Sequence, residues 1–160
     1  MISRKETMED PQIAVFTYGS LLDAETTRYR APSARRGGRA VLKDWRLAFR
    51  RGVADIAPDP GRQVLGAVWL VGPDDLDSLD QYEGIDLGAY WRYRLPVETR
   101  TGETWAWAYV MPPDDAARGL PDDGYLRIVS QGLRQWGHPT DELDRAVEEA
   151  RTEAGARGAA

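Results

Sequence analysis

One acidic residue of the sequence occupies a position that an amphipathic helix normally gives to an apolar side chain. The segment PDDLDSLDQYEG, residues 73–84, begins with proline and acidic residues and ends at glycine, which predicts a short helix. Leu76, Leu79 and Glu83 are spaced i, i+3 and i+7, so they share one face of that helix. The other acidic residues of the helix are expected on its solvent side: Asp74, Asp75, Asp77 and Asp80.

Two orientations of Glu83 are compatible with this spacing. In one, Glu83 bends out to water at the helix end and Tyr82 takes the inward position, because helix phase is poorly defined in the last turn. In the other, Glu83 points inward, and burial together with the helix C-terminus raises its pKa. A carboxyl group with a raised pKa can take up and return a proton near neutral pH. An inward Glu83 is therefore the candidate general acid–base.

A second candidate is the stretch FTYGSLL, residues 16–22, where an apolar run ends at Tyr18 and a glycine and a serine follow at once. Glycine at position 19 lets backbone N–H groups approach a ligand, since no side chain intervenes. The same residues also fit an ordinary turn after a strand. The stretch alone does not distinguish a ligand-binding loop from a plain connection.

Residue types that are missing or rare restrict the chemistry further. The 160-residue chain has no cysteine, which excludes disulfides, thiolate metal sites and a cysteine nucleophile. Its single histidine, His138, excludes a multi-histidine zinc site and would have to serve any Ser–His pair. Ser20 has no obvious base, and no second acidic residue stands out as a glycosidase partner for Glu83. What remains is a reaction, free of metal and cofactor, whose substrate carries its own nucleophile.

The elements that must position these residues are strands in the first two thirds of the chain and helices towards its end. Alternating and continuous apolar patterns predict strands over 13–18, 45–49, 63–71, 90–98 and 101–111. Apolar residues at helical spacing predict helices over 73–84, 124–137 and 140–150. Residues 112–124 form a loop that could cap a site. The predicted fold is α+β, with a curved, mostly antiparallel sheet that closes into a small barrel.

Length and hydropathy predict one domain over residues 13–150, with flexible termini at 1–12 and 151–160. The first twelve residues lack the apolar stretch of a secretory signal, and no apolar run approaches the ~18 residues of a membrane helix. We therefore expect a cytoplasmic protein with no membrane partner, either a monomer or a homodimer. His138 lies in the loop before the last predicted helix, where we assign it no proton-transfer step.

The charge distribution argues against nucleic acid as a partner, because the net charge is −5. Residues 28–51 are nevertheless rich in arginine, with Asp44 as their only acidic residue. These cations either form a solvated face or provide a basic rim that attracts a small anionic substrate.

Taken in order, these motifs resemble the γ-glutamylcyclotransferase family. YGSLL (18–22) resembles its Tyr-Gly-Ser substrate loop, and LDSLDQYEGI (76–85) resembles the segment with its catalytic glutamate, at Glu83. GAYWRYRLPV (88–97), AYVM (108–111) and the stretch 119–143 resemble the later strands and the C-terminal segment with its tyrosine, at Tyr125. The resemblance covers residues 13–150.

The resemblance implies a small mixed, mostly antiparallel β-barrel with flanking helices that releases 5-oxoproline from small γ-glutamyl compounds without metal or cofactor. Glu83 would be the general acid–base, and Tyr18 and Tyr125 would orient the substrate. Backbone N–H groups of Gly19, Ser20 and Leu21 would bind either the substrate α-carboxylate or the oxyanion. The enzymes that act on γ-glutamyl amino acids often have asparagine where Leu21 stands, and leucine there resembles the glutathione-acting branch. A non-catalytic binding module of the same fold is the remaining alternative.

Overall fold

Five β-strands close into a barrel in the computed structural model, which describes residues 12–112 and 119–159. The strands are β1 (Ile13–Thr17), β2 (Arg35–Arg50), β3 (Val53–Val71), β4 (Trp91–Thr99) and β5 (Gly102–Val110). Their order around the barrel is β1–β3–β2–β4–β5, and every neighbouring pair is antiparallel except β1 and β5. These two strands close the barrel in parallel, with Val15 opposite Trp107. The predicted mixed, mostly antiparallel barrel is confirmed.

Helices surround the barrel and carry most of the connections. They are α1 (Ala24–Arg30), α2 (Pro73–Glu83), α3 (Asp123–Gln135) and α4 (Asp141–Ala159), with 3-10 turns at Ser20–Leu22 and Ile85–Leu87. In the part of the chain that the structure describes, none of these helices is both long enough and apolar enough to cross a membrane.

Several element boundaries differ from the sequence prediction. Strands β2 and β3 begin at Arg35 and Val53, about ten residues earlier than predicted. They form a long two-stranded hairpin, and its polar, exposed residues hide the strand pattern in the sequence. Helix α1 was not predicted, since its only buried residue is Thr27 and it has no apolar stripe. Helix α4 continues to Ala159 through the segment 151–159, which the sequence analysis assigned to a flexible tail.

Two other predicted segments cannot be compared with the structure. Residues 1–11 of the predicted flexible N-terminus lie outside the described residues, and so do 113–118 of the predicted capping loop.

Strand β5 presents its large aromatic residues on the outside of the barrel. Ala106, Ala108 and Val110 are at most 4% exposed and face the interior, whereas Trp105 is 54% exposed. Tyr109, on the outer face, is covered by α2, where its hydroxyl donates a hydrogen bond to Asp80 Oδ1 at 2.7 Å. Trp105 and Tyr109 therefore share an outer face of the sheet.

Helix α2 is also more enclosed than its sequence indicated. Asp75 is buried and accepts a hydrogen bond from the Ser33 backbone N–H at 2.9 Å. Asp80 accepts from Tyr109 and forms an ion pair with Arg92 at 3.4 Å. The prediction that these two aspartates face solvent is wrong, because α2 is held on one side by the segment after α1 and on the other by β4 and β5.

The 3-10 turn Ser20–Leu22 is fixed through its carbonyl groups. The Leu21 carbonyl accepts hydrogen bonds from Trp69 Nε1 and Thr27 Oγ1, both at 2.7 Å. The Leu22 carbonyl accepts from Trp136 Nε1 at 2.9 Å. Donors from β3, from α1 and from the C-cap residue of α3 therefore converge on this turn, and each buried carbonyl has a partner.

Gly132 allows α3 to pack directly against this turn. A Cβ atom at position 132 would lie 2.5 Å from Leu22 Cβ and 2.9 Å from the backbone nitrogen of Asp23. Both neighbours are backbone or directly attached to it, so neither can rotate out of the way. The separation between α3 and the turn thus depends on the missing side chain.

We expect Gly132→Ala to lower the free energy of unfolding by about 1–3 kcal/mol, the range for an overpacked core position. The reason is that α3 must move away from Leu22 to accept the methyl group. Chemical denaturation measures the change. Gly155→Ala is the matched control, because a Cβ at position 155 of α4 meets nothing within 4 Å. Equal stability of the two variants would show that α3 and the turn do not need this close contact.

Candidate active site

A cavity of about 400 Å³ lies beside the 3-10 turn, with walls from β1, β3, β5, α1, α2 and α3. Every residue that the sequence assigned to a site lines this cavity: Tyr18, Gly19, Ser20, Leu21, Glu83 and Tyr125. These residues are far apart in the chain, and the barrel brings them together. The structure therefore shows that these residues share one cavity, whereas their individual roles remain predictions.

Glu83 is the last residue of α2 and is half-buried on the cavity wall. Leu79, one turn earlier, is 2% exposed and anchors this face of the helix in the core. Burial raises the pKa of the Glu83 carboxyl to about 7, while the positive charge of Arg30 acts in the opposite direction. Tyr82 also borders the cavity but is 50% exposed, so Glu83 is the more buried of the two residues. Both lie at the same opening of the cavity.

Three tyrosines of the cavity have hydroxyl groups that are held by the protein itself. The Tyr18 hydroxyl donates to the Tyr109 carbonyl, and the Tyr90 hydroxyl donates to the Ala54 carbonyl at 3.2 Å. Tyr109 donates to Asp80, as described above. Burial raises the pKa of each of these phenols, so they are neutral around pH 7. Their rings form a rigid aromatic lining around Glu83.

The hydroxyl of Tyr125 is arranged differently. Its oxygen accepts a hydrogen bond from the Ala54 backbone N–H at 2.9 Å, which leaves its own proton available for another acceptor. Burial raises the pKa of Tyr125 to about 12, with backbone hydrogen bonds from Ala54 and Ser20 acting in the opposite direction. Asp122 fixes the start of α3 by accepting from the Tyr125 N–H at 2.8 Å. Tyr125 is therefore a positioned donor.

Gly19 lies where the turn, β3 and α3 meet. A Cβ at this position would be 3.0 Å from the Tyr125 hydroxyl oxygen and 3.1 Å from Ala54 Cβ. The absence of a side chain therefore lets the Tyr125 hydroxyl reach the backbone of the turn and of β3 at once.

Sequence reasoning missed Arg30, Tyr90 and Tyr109 as cavity residues. Tyr90 and Tyr109 were assigned to strands, but the pattern did not show that both would border a site. Arg30 belongs to the arginine-rich stretch 28–51, and of the arginines and lysines in the described ranges it is the one that lines this cavity. Nothing in its sequence context separates it from its neighbours.

Other arginines of this stretch bind the protein's own groups. Arg50 forms an ion pair with the buried Asp55 at 2.6 Å. The guanidinium of Arg36 lies 3.7 Å from the Trp136 ring centroid, and Arg39 donates to the Gly137 carbonyl at 3.2 Å. Several cations of this stretch therefore contact the protein itself, while Arg36 and Arg39 remain exposed.

His138 does not line the cavity. It is 5% exposed, and its Nε2 donates to the Gly66 carbonyl at 2.8 Å. Burial lowers the pKa of the imidazole. Across residues 12–112 and 119–159, no cluster of three or more histidine, aspartate or glutamate side chains is arranged to hold a metal ion.

Comparison with known proteins identifies the family to which these features belong. The profile of the family described as gamma-glutamyl cyclotransferase, AIG2-like, matches residues 15–128. The gamma-glutamylcyclotransferase of Homo sapiens is 31% identical over 145 residues, which cover 83% of this chain and 76% of that protein. The enzyme of the same name from Mus musculus is 32% identical over 138 residues, covering 79% and 72%.

A solved structure named gamma-glutamyl cyclotransferase has the same architecture. It superposes with a TM-score of 0.76 at 29% identity, over 84% of this chain and 86% of that one. The resemblance noted in the motifs is confirmed along most of the sequence. The chain belongs to the gamma-glutamyl cyclotransferase, AIG2-like family, an enzyme family that forms 5-oxoproline.

Proposed function

We propose that this protein releases 5-oxoproline from γ-glutamyl amino acids, amines or peptides, with Glu83 as the general acid–base. The observation that carries the proposal is the half-buried Glu83 carboxyl, with a pKa raised to about 7, on the wall of the cavity beside the Tyr18–Leu21 stretch. A cavity of about 400 Å³ lies within the usual size of a small-molecule site.

The reaction needs no nucleophile from the protein, because the substrate supplies one. The α-amine of the γ-glutamyl unit attacks its own γ-carbonyl carbon and closes a five-membered ring. Holding the amine and the carbonyl in a near-attack pose can contribute ~7–11 kcal/mol to lowering the barrier. The rigid tyrosine lining, including Tyr18, supplies walls that restrict the flexible glutamyl chain to such a pose.

Proton transfer through Glu83 balances the reaction. As the new N–C bond forms, the carboxylate takes a proton from the amine. As the old C–N bond breaks, the carboxyl returns a proton to the departing nitrogen, so Glu83 ends in its initial state. A pKa of about 7 suits both steps, since neither protonation state is strongly disfavoured at neutral pH.

An anionic oxygen of the substrate is bound, in this proposal, by the backbone N–H groups of Gly19, Ser20 and Leu21 together with the Tyr125 hydroxyl. The support is that these residues line one cavity, and that the turn is held in place through its Leu21 and Leu22 carbonyls. The first N–H groups of a helical turn lack partners within it and can donate to a ligand; the Ser20 N–H is shared with the Tyr125 oxygen. The bound oxygen is either the α-carboxylate or the oxyanion of the tetrahedral intermediate.

The leaving group is open between a single amino acid, an amine and a peptide, because Leu21 resembles the glutathione-acting branch whereas the C-terminal half resembles the branch that acts on γ-glutamyl amino acids. Measuring 5-oxoproline released from γ-glutamyl-alanine, γ-glutamyl-lysine and glutathione tests the proposal directly. A protein that binds these compounds and forms no 5-oxoproline would be a binding module, and the proposal would be wrong.

Replacing Glu83 with glutamine removes the proton carrier and keeps its shape. We expect kcat to fall by about 10²–10⁴-fold, the usual contribution of general acid–base catalysis, while the thermal unfolding midpoint stays close to wild type. Glu103→Gln is the matched control, since it makes the same charge change at an exposed position of β5. Turnover by Glu83→Gln equal to that of Glu103→Gln would remove Glu83 from the mechanism.

The pH dependence of kcat/KM should show the raised pKa of Glu83. Because the carboxylate must be unprotonated to accept the amine proton, we expect the rate to rise with pH through an inflection at about pH 7 from Glu83, and to rise further as the substrate ammonium loses its proton. A carboxyl with an ordinary pKa would instead give this inflection near pH 4–5. Initial rates in buffers of constant ionic strength provide the measurement, and an inflection below pH 5.5 would contradict it.

Gly19→Ala tests the close approach at the turn. The added methyl group would lie only 3.0 Å from the Tyr125 hydroxyl oxygen and would displace this hydroxyl, so we expect kcat/KM to fall by roughly ten- to a hundredfold, as for other small misplacements in active sites. Steady-state kinetics measure the loss, with Gly124→Ala as a control that meets no atom closer than 3.4 Å. If Gly19→Ala keeps wild-type kinetics, Gly19 is an ordinary turn residue.

A further inference from the structure

Arg30 is a cavity residue without an ion pair in the part of the chain that the structure describes. It ends α1, is half-buried and lines the cavity. Its guanidinium carbon lies 4.9 Å from the centroid of the Tyr82 ring. No described carboxylate pairs with it and no described acceptor receives its side-chain N–H groups. An arginine that is partly withdrawn from water and unpaired is expected to meet an anion.

Arg30 differs in this respect from other half-buried arginines of the protein. Arg50 pairs with Asp55 at 2.6 Å, and Arg92 pairs with Asp80 at 3.4 Å. Arg62 pairs with Glu149 at 3.2 Å. In each case a carboxylate of the chain compensates the partly buried charge. Beside Arg30, the cavity leaves room for the carboxylate of a bound ligand.

The position of Arg30 is fixed relative to the helix that carries Glu83. The Arg30 carbonyl accepts a hydrogen bond from Ser78 Oγ at 2.6 Å, which ties the end of α1 to α2. The Tyr82 ring, adjacent to Glu83 in sequence, supports the guanidinium through a cation–π contact. Arg30 and Glu83 therefore border the same part of the cavity, close enough for the Arg30 charge to act on the Glu83 carboxyl.

This part of the cavity is its solvent side. Tyr82 is 50% exposed, whereas Phe16, Tyr18 and Tyr109, which also line the cavity, are at most 7% exposed. In the proposed reaction the γ-glutamyl unit folds into a ring while the departing amine must escape to solvent. The leaving group is therefore placed at the Arg30 side, with its nitrogen next to Glu83.

We propose that Arg30 binds the carboxylate of the leaving amino acid and so selects γ-glutamyl amino acids over γ-glutamyl amines. This inference rests on the proposed function. In an α-amino acid the carboxylate carbon is roughly 2.5 Å from the nitrogen, so a nitrogen beside Glu83 brings the carboxylate next to Arg30. In an amine this carboxylate is missing, and in a dipeptide such as the leaving group of glutathione it lies one residue further away.

The test compares γ-glutamyl-alanine with γ-glutamyl-alaninamide, which have the same shape but differ in the charge of the leaving group. For the wild type we expect kcat/KM for the acid to exceed that for the amide by about 10- to 100-fold, as for one charge-assisted hydrogen-bonded pair. In Arg30→Gln this ratio should fall to within about threefold of one, mainly through a higher KM for the acid. Arg30→Lys should give an intermediate ratio, since it keeps the charge and loses the planar fork.

The ratio separates this contact from the influence of Arg30 on Glu83, because both substrates depend equally on the same acid–base group. Arg28→Gln is the control: it makes the same charge change at an exposed position of α1 outside the cavity lining, and it should keep the wild-type ratio. A wild-type ratio near one, or an Arg30→Gln enzyme that loses activity equally on acid and amide, would overturn the proposal.

A binding measurement keeps this inference distinct from the proposed function. Calorimetry on Glu83→Gln protein gives the Kd of each compound without turnover, and the double variant Glu83→Gln/Arg30→Gln gives the same values without the guanidinium. If the wild type forms no 5-oxoproline, the proposed function fails. The role of Arg30 in binding the leaving-group carboxylate is still supported if the Glu83→Gln protein binds the acid more tightly than the amide and the double variant does not. Equal Kd values for acid and amide in the Glu83→Gln protein would overturn the proposed role of Arg30, whether or not the wild type is catalytically active.

Discussion

The candidate site depends on one short turn, Ser20–Leu22, whose carbonyl groups are held by side chains from three other elements. Trp69 from β3, Thr27 from α1 and Trp136 at the C-cap of α3 all donate to it. Each such bond contributes only about 1 kcal/mol, but together with the buried Leu21 and Leu22 side chains they define the position of the turn. Because α3 docks on the same turn through Gly132, the turn also determines where Tyr125 is placed.

The charge state of Glu83 results from two opposing effects. Burial between α2 and the aromatic lining disfavours the carboxylate, and the positive charge of Arg30 favours it. Burial dominates, which gives a pKa of about 7. A closer ion pair would hold the carboxyl ionised and make it a poor acid for the departing nitrogen. Arg30 lies near Glu83 but forms an ion pair neither with Glu83 nor with any other described carboxylate. Both groups are therefore available to a ligand.

Local sequence patterns predicted a useful part of this architecture. The strand β1, the glycine after it, and the helix that carries Glu83 follow from apolar periodicity and from start and stop residues, all of which act over a few positions. The barrel class followed from the number and spacing of strands. The long hairpin of β2 and β3 and the helix α1 were not predicted correctly, because their exposed polar faces carry no periodic apolar signal. Likewise, the aspartates of α2 gave no indication that neighbours would cover them.

By itself, the sequence determined which residues were chemically suited to the work: a glutamate on an apolar helix face, a glycine after a buried strand, and no cysteine or second histidine to compete with them. Only the tertiary structure decided which of these and other residues share a cavity. The Tyr18 hydroxyl meets a carbonyl 91 positions away, and the Tyr125 hydroxyl meets a backbone N–H 71 positions away. Such contacts are created by closure of the barrel and by docking of α3, which no local pattern encodes. For the same reason Arg30 is indistinguishable from its neighbours in the sequence, although in the fold it lines the cavity beside Glu83.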